Sequence, residues 1–325
     1  MKELTCILIL LCCISNVPVY ATEGDNAALL ARVEAHIEHG EPKKALKLLS
    51  TRLDATPGDL ELLSKRAEVY LMLSKKKEAS KELRAILFKD ENYGPALLNY
   101  AVYQNQIQNS DSSLWYIEKA LAQENNSPTE EELYSLKGNI LLEMGEYQEA
   151  EDNLFMAANR SEVSITTMRD LGAILSKNKK YHESLAVLRE TMLIFGERLE
   201  FLINAGFICN RLGMFDEAKD YLTMALLQDP DQPLAHSNIA EAYLYLGSVQ
   251  LAYDHIIIST ENDNLNAFAY KIKGDCLTRM QEPEKACKSY KEAYTLDYDS
   301  SMFGDAPLIK VINEICGNDG IISEQ

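Results

Sequence analysis

Two histidines three residues apart, His36 and His39 in "EAHIEHGE", have the most metal-like spacing in the chain. Residues at i and i+3 share one side of a helix, so they could in principle share an ion. The run is one residue short of H-x-x-E-H. His36 falls at a packing position, and His39 ends a helix, where a cation complements the dipole, so packing and capping account for both. His182, His236 and His255 have no partners at ligand spacing. No Gly-rich phosphate loop, G-x-S-x-G elbow or paired catalytic signature occurs. No catalytic, cofactor or metal residue is therefore assigned, and the chain reads as non-enzymatic.

The chain is 46% apolar and 25% charged with a net charge of -18, which describes an ordered globular protein and opposes a nucleic-acid partner. A cationic partner, or solubility alone, suits that charge. Residues 1–21 read as a secretory signal: Lys2, the apolar run "LTCILILLCCISNV", Pro18, and the exit Val19-Tyr20-Ala21. That places the mature protein outside the cytoplasm, periplasmic or secreted. No other segment is apolar enough to span a membrane. Cys12 and Cys13 leave a lipid-anchored lipoprotein as the lesser reading, since Leu11 and Cys12 stand where a small residue is wanted.

Small residues recur at fixed distance. From Ala218, steps of 34 reach Ala252 and Ala286 forward, Ser184 and Ala150 backward, and, past a three-residue insertion, Ser113, Ala79 and Ala45. Twelve residues before each lie Val33, Ala67, Ala101, Gly138, Gly172, Gly206, Ala240 and Gly274. A small residue on each of two successive helices lets their backbones approach. The unit is thus a helix hairpin, with repeats starting at 26, 60, 94, 131, 165, 199, 233 and 267. Gly40, Gly145, Gly213 and Gly247 occupy the fifteenth position, where the chain turns. One hairpin cannot bury its own apolar face, so neighbours must stack. The insertion "QENNSPTE" carries a helix start, with Ser127 as cap, Pro128 at the first helical position and Glu130 closing a capping box. Asn125 and Asn159 lie in N-x-S sequons. Residues 301–317, with Asp305 as cap, Leu308, Ile312 and Ile315 on one side and Gly317 as terminator, are expected to form a helix covering the last repeat, followed by a tail over 318–325. Cys276 and Cys287 lie in opposite arms of the last hairpin, at similar distances from its turn. They are either a bridge or two small buried residues, and a fold that needs no disulfide is expected. Trp115 either packs under the insertion or makes an outer contact.

With its period, its small pairs and residues such as Tyr70, Tyr243, Phe215, Pro57 and Pro230, the chain resembles a tetratricopeptide repeat (TPR) protein. It departs from that pattern in lacking the usual first-helix tryptophan. The resemblance implies an all-α, right-handed superhelical solenoid of stacked antiparallel hairpins over 22–300. It also implies a concave groove lined by positions 2, 5, 6, 9, 12 and 13 of each first helix. In repeats one to four these positions include Glu34, Glu38, Glu61, Glu68, Glu132 and Glu143 with Lys65 as cation; in repeats five to eight they include Arg169, Lys177, Arg211, Lys271 and Arg279 against Asp170, Glu200, Glu241 and Asp275. The resemblance implies that Asn99, Asn204 and Asn238, at position 6, hold the backbone of an extended peptide, with Phe207, Tyr245 and Phe268 taking apolar side chains. The carboxylate clamp of chaperone-binding relatives is not reproduced. The expected function is a scaffold or assembly adaptor of the cell envelope that binds protein segments, acidic ones among them. A self-associating structural solenoid and a lipoprotein assisting a secretion or pilus system are the alternatives.

Overall fold

The computed structural model describes residues 23–123, 130–160, 163–300 and 306–317. The signal segment 1–21, Ser127 and Pro128 of the insertion with Asn125, the cap Asp305 and the tail 318–325 lie outside the described residues. The described chain is helical without strands, and it divides into two compact units, 1–128 and 129–325. The first contains α1 (Glu23–Glu38), α2 (Pro42–Ala55), α3 (Leu60–Met72), α4 (Lys76–Lys89), α5 (Gly94–Gln106) and α6 (Ser110–Leu121). The second contains α7 (Glu130–Met144), α8 (Tyr147–Ala158), α9 (Ile165–Lys177), α10 (Tyr181–Phe195), α11 (Leu199–Arg211), α12 (Phe215–Gln228), α13 (Pro233–Tyr245), α14 (Val249–Asn262), α15 (Ala267–Arg279), α16 (Pro283–Thr295) and α17 (Leu308–Cys316). None of the described helices is long and apolar enough to cross a membrane.

Consecutive helices pair as hairpins, and the small residues are the reason they can. Ala45, Ala79, Ser113, Ala150, Ser184, Ala218, Ala252 and Ala286 are all fully buried. Where the small residue is serine, its hydroxyl donates across the hairpin: Ser113 Oγ to the Ala101 carbonyl and Ser184 Oγ to the Gly172 carbonyl, each at 2.7 Å. Ala101 and Gly172 are the small residues of the facing helix, so the backbones touch at the point where the sequence spacing requires it.

The turn inside each hairpin is also one structure used eight times. Position 15 is left-handed in every repeat, at Gly40, Ser74, Gln108, Gly145, Lys179, Gly213, Gly247 and Gln281. The next amide reaches back five residues, as in Lys75 N–H to the Tyr70 carbonyl at 2.8 Å and Met214 N–H to the Cys209 carbonyl at 2.9 Å. This bond, shared by all eight repeats, closes a Schellman motif and satisfies a helix-end carbonyl. Four repeats hold it without glycine, so the motif is dictated by the hairpin rather than by that residue.

The last hairpin is covered by α17, whose Leu308 and Ile312 pack on Leu277, Ala286, Tyr290 and Ala293. Gly317, at φ 62°, ends the helix. Here the cysteine expectations need correction. Cys287 is bonded to Cys316, with Cα atoms 5.2 Å apart, while Cys276 and Cys209 are buried thiols. The bridge between Cys276 and Cys287 does not form, and Cys276 is the small buried residue of the other reading, but Cys287 is not, so the chain carries a disulfide. Cys276 points into the core shared with α13 and α14. Cys287 follows the small residue Ala286 by one position, about 100° further round the helix, where the covering helix brings Cys316.

Candidate functional site

The first helices of the second unit carry the expected groove residues, and the structure shows how each is held. Asn210 Nδ2 on α11 donates to the Asn238 carbonyl on α13 at 2.8 Å. Beside it Arg211 forms an ion pair with Glu241, and both side chains are more than nine-tenths buried. Arg279 Nη1 on α15 donates to the Leu244 carbonyl on α13 at 2.8 Å. Three neighbouring first helices are thus tied along their facing sides by charged and amide side chains. Charge-assisted bonds in such a setting fix spacing more than they add net stability.

These ties redistribute the candidate residues. Asn99, in the first unit, is buried and donates to the Ser64 carbonyl at 3.1 Å, and buried Asn238 donates to the Leu234 carbonyl at 2.8 Å. Asn204 alone of the position-6 asparagines is exposed. Phe207 is half-buried under the Arg211 guanidinium, 5.3 Å from its ring centre. Tyr245 is 52% exposed and lies flat on Phe215, ring centres 4.5 Å apart. Phe268 packs partly buried against the core of the seventh hairpin. Leu234, at position 2, stands half exposed, which the sequence reading does not single out.

The cations are largely neutralised from within. Arg169 meets Asp170 at 2.9 Å, Lys271 meets Asp275 at 2.9 Å, and Arg211 meets Glu241. Lys177 sits over the Tyr147 ring at 4.2 Å. In the first unit, Lys65 is held by Glu34 and Glu68. A selective attraction for acidic segments is therefore weaker than the count of arginines and lysines suggests, because an ion already paired gains little from a second partner.

The histidines separate into surface and core. His36 Nδ1 lies 2.9 Å from Glu41 Oε2, a hydrogen-bond contact rather than a metal shell. Among the described residues no three His, Cys, Asp or Glu side chains are grouped to hold a metal. His236 is buried, with Nε2 2.8 Å from the Pro230 carbonyl and Nδ1 2.8 Å from His255 Nδ1. A carbonyl only accepts, so His236 carries its proton on Nε2, and His255 donates from Nδ1. Burial, then the neighbouring His236, hold the His255 pKa below the ordinary value, partly opposed by Asp254. For a base with a depressed folded pKa the stabilisation is complete above about pH 6.5 and is lost as pH falls toward the folded value, because the unfolded chain takes up the proton first. His255→Gln should flatten this dependence. Urea midpoints at pH 7.5 and pH 5 should fall further apart in the parent chain than in the variant, and equal differences would contradict the pairing.

No protein-family model and no curated protein matches the sequence. Solved structures do match. YrrB, a TPR protein with an unusual peptide-binding site, superposes with a TM-score of 0.52 at 19% identity, over 57% of this chain and 95% of that one. The C-terminal part of a TPR repeat-containing protein from Cytophaga hutchinsonii gives a TM-score of 0.56 at 14% identity, over 74% and 98% of the two chains. The Cut9-Hcn1 hetero-tetramer of the APC/C gives 0.60 at 13% identity, over 88% of this chain but only 55% of that one. The chain has the tetratricopeptide-repeat fold. Within that fold, the ties from Asn210 and to Glu241 are what the sequence leaves unread. The signal for them is a polar residue at position 12 or 13 of one repeat facing position 6 or 9 of the next, a pairing visible only once the hairpins stack in register.

Proposed function

We propose that the chain is a non-enzymatic protein-interaction scaffold that holds an extended partner segment against the first helices of the 129–325 unit. The observation that carries this reading is the cross-tied trio α11, α13 and α15, which leaves Asn204, Leu234 and Tyr245 presented on a fixed frame. A preorganised face loses less entropy when a partner is ordered on it. An exposed amide can donate to and accept from a peptide backbone, while Tyr245 offers an aromatic surface for apolar side chains. With Arg169, Arg211 and Lys271 paired to carboxylates, the face selects by shape and backbone hydrogen bonding more than by charge. A peptide-binding site in YrrB, which shares the fold, is in keeping with this use. Export to the cell envelope is part of the proposal. It is supported by the pattern of residues 1–21 and by the Cys287–Cys316 bridge, since disulfides persist in oxidising compartments.

Affinity capture from envelope extracts, with the chain as bait, supplies the partner segment on which the assignment is tested. The double variant Asn204→Ala/Tyr245→Ala should bind it at least about tenfold more weakly, from a lost hydrogen bond of about 0.5–1.5 kcal/mol and a lost aromatic contact exceeding about 1 kcal/mol. Because both residues are exposed, the melting temperature should stay within about 2 °C of the parent. Undiminished affinity in a folded variant would reject this face.

A further inference from the structure

A second surface lies on the edge of the 129–325 unit where second helices end and the next repeats begin. Leu193 on α10, Leu227 on α12 and Leu265 in the turn after α14 are 86%, 79% and 73% exposed. Leu193 and Leu227 occupy the same position of consecutive repeats, 34 residues apart. Single exposed leucines are ordinary, but Leu193 and Leu227 stand at equivalent places of adjoining repeats, and Leu265 lies in the turn that ends the next one. Gln228 Nε2 donates to the Glu197 carbonyl at 2.8 Å, and Asn262 Nδ2 donates to the Asp231 carbonyl at 2.9 Å, so each second-helix end is tied to the turn of the repeat before it. The turn holding Leu265 is itself fixed, because the Leu265 amide donates to Asp263 Oδ1 at 3.0 Å.

The surroundings of these leucines are mostly acidic, the nearby Arg189 being paired with Glu217 and Lys273 reaching Thr260. Stretches 190–200, 224–234 and 258–268 contain seven carboxylates and a single cation, Arg198. Glu190, Glu197, Asp231 and Glu261 are exposed. We infer that this edge docks a cationic amphipathic helix of a partner protein, its apolar stripe on the three leucines and its lysines or arginines against the carboxylates. A helix suits the edge because it presents an apolar stripe with cations on both flanks of the same face, whereas a strand sends neighbouring residues to opposite faces. A second copy of this chain would bring carboxylates against carboxylates, and an anionic lipid surface would be repelled in the same way. The edge is made of second-helix ends and turns, so this inference does not depend on the peptide face of the first helices.

The test is isothermal titration of the purified chain with an 18-residue leucine–lysine peptide of amphipathic helical order, alongside a scrambled peptide of identical composition. The ordered peptide should bind at least tenfold more tightly than the scrambled one, and Leu193→Ser/Leu227→Ser/Leu265→Ser should abolish that difference with an unchanged circular dichroism spectrum. Glu190→Gln/Glu197→Gln/Asp231→Asn, which touches no apolar residue, should weaken binding of both peptides and reduce its salt dependence. Equal affinity for the two peptides, or an ordered-peptide advantage that survives the serine variant, would overturn the inference. Should the serine variant lose its fold, Leu193→Ser alone is expected to reduce the advantage at least threefold, and no reduction would count equally against it. Tyr245→Ala should leave this binding unchanged.

Discussion

Gly206→Ala is expected to lower the melting temperature, whereas Gly172→Ala at the equivalent position one repeat earlier should raise it. In both helices alanine is the better helix former, by about 0.8–1 kcal/mol. At Gly206 the added methyl would lie well inside contact distance of Leu222 Cγ, a fully buried branch point in the core of the sixth hairpin. Overpacking of that kind costs about 1–3 kcal/mol, which exceeds the propensity gain. At Gly172 the nearest atom, Leu188 Cδ2, would be 3.5 Å away, an ordinary contact, so only the propensity term remains. For a unit of this size each kcal/mol moves the melting temperature by about 2–4 °C. Calorimetry on the two single variants decides the matter. Shifts of the same sign would mean that the close approach of α11 and α12 is misplaced.

Breaking the Cys287–Cys316 bridge should have the other large effect. The cysteines are 29 residues apart in sequence, and closing a loop of that length in the unfolded chain corresponds to about 3.5 kcal/mol in the chain-entropy view, an upper figure because the mechanism is partly enthalpic. Cys316→Ser should therefore lower stability by about 2–4 kcal/mol. It should also raise amide exchange in α17, which has few contacts besides those to α16 and the core of the last hairpin. The bonded state is read directly by alkylating the denatured, unreduced protein. Peptides containing Cys287 and Cys316 should be unmodified until reductant is added, while those containing Cys209 and Cys276 should be alkylated at once. Free thiols at 287 and 316 would contradict the bridge. The two free thiols among the described residues are poor nucleophiles in the folded protein, since burial pushes Cys209 up to about 11 and Cys276 up to about 12.

The hairpin architecture was legible because its cause is local and repeated. A residue such as Ala218 or Ser184 must be small wherever two backbones touch, and the same spacing recurs along the chain. The turn was legible only where glycine marks it. Ser74, Gln108, Lys179 and Gln281 adopt the same left-handed conformation with no sequence signature, because the closing bond imposes it. What the sequence could not show depended on contacts between repeats. Arg211 looked like a cation for a ligand and is instead spent on Glu241, one repeat away and thirty residues on. Asn238 looked like a peptide clamp and is buried against its own helix. Spacing within the last hairpin sets Cys287 opposite Cys276, whereas its partner, Cys316, arrives with the covering helix. Residue types and spacing define the unit, but which polar groups remain for a ligand is settled by the register between units.

The central claim, that a partner segment runs along the first helices of the 129–325 unit, is tested most directly by photo-crosslinking. A benzophenone-bearing residue is placed at position 204 in one preparation and at position 61 in another, both exposed sites on first helices. The captured partner should crosslink from position 204, and mass spectrometry should place the adduct within one short stretch of that partner. Crosslinking from position 61 with none from 204 would move the working surface to the acidic first unit and contradict the account.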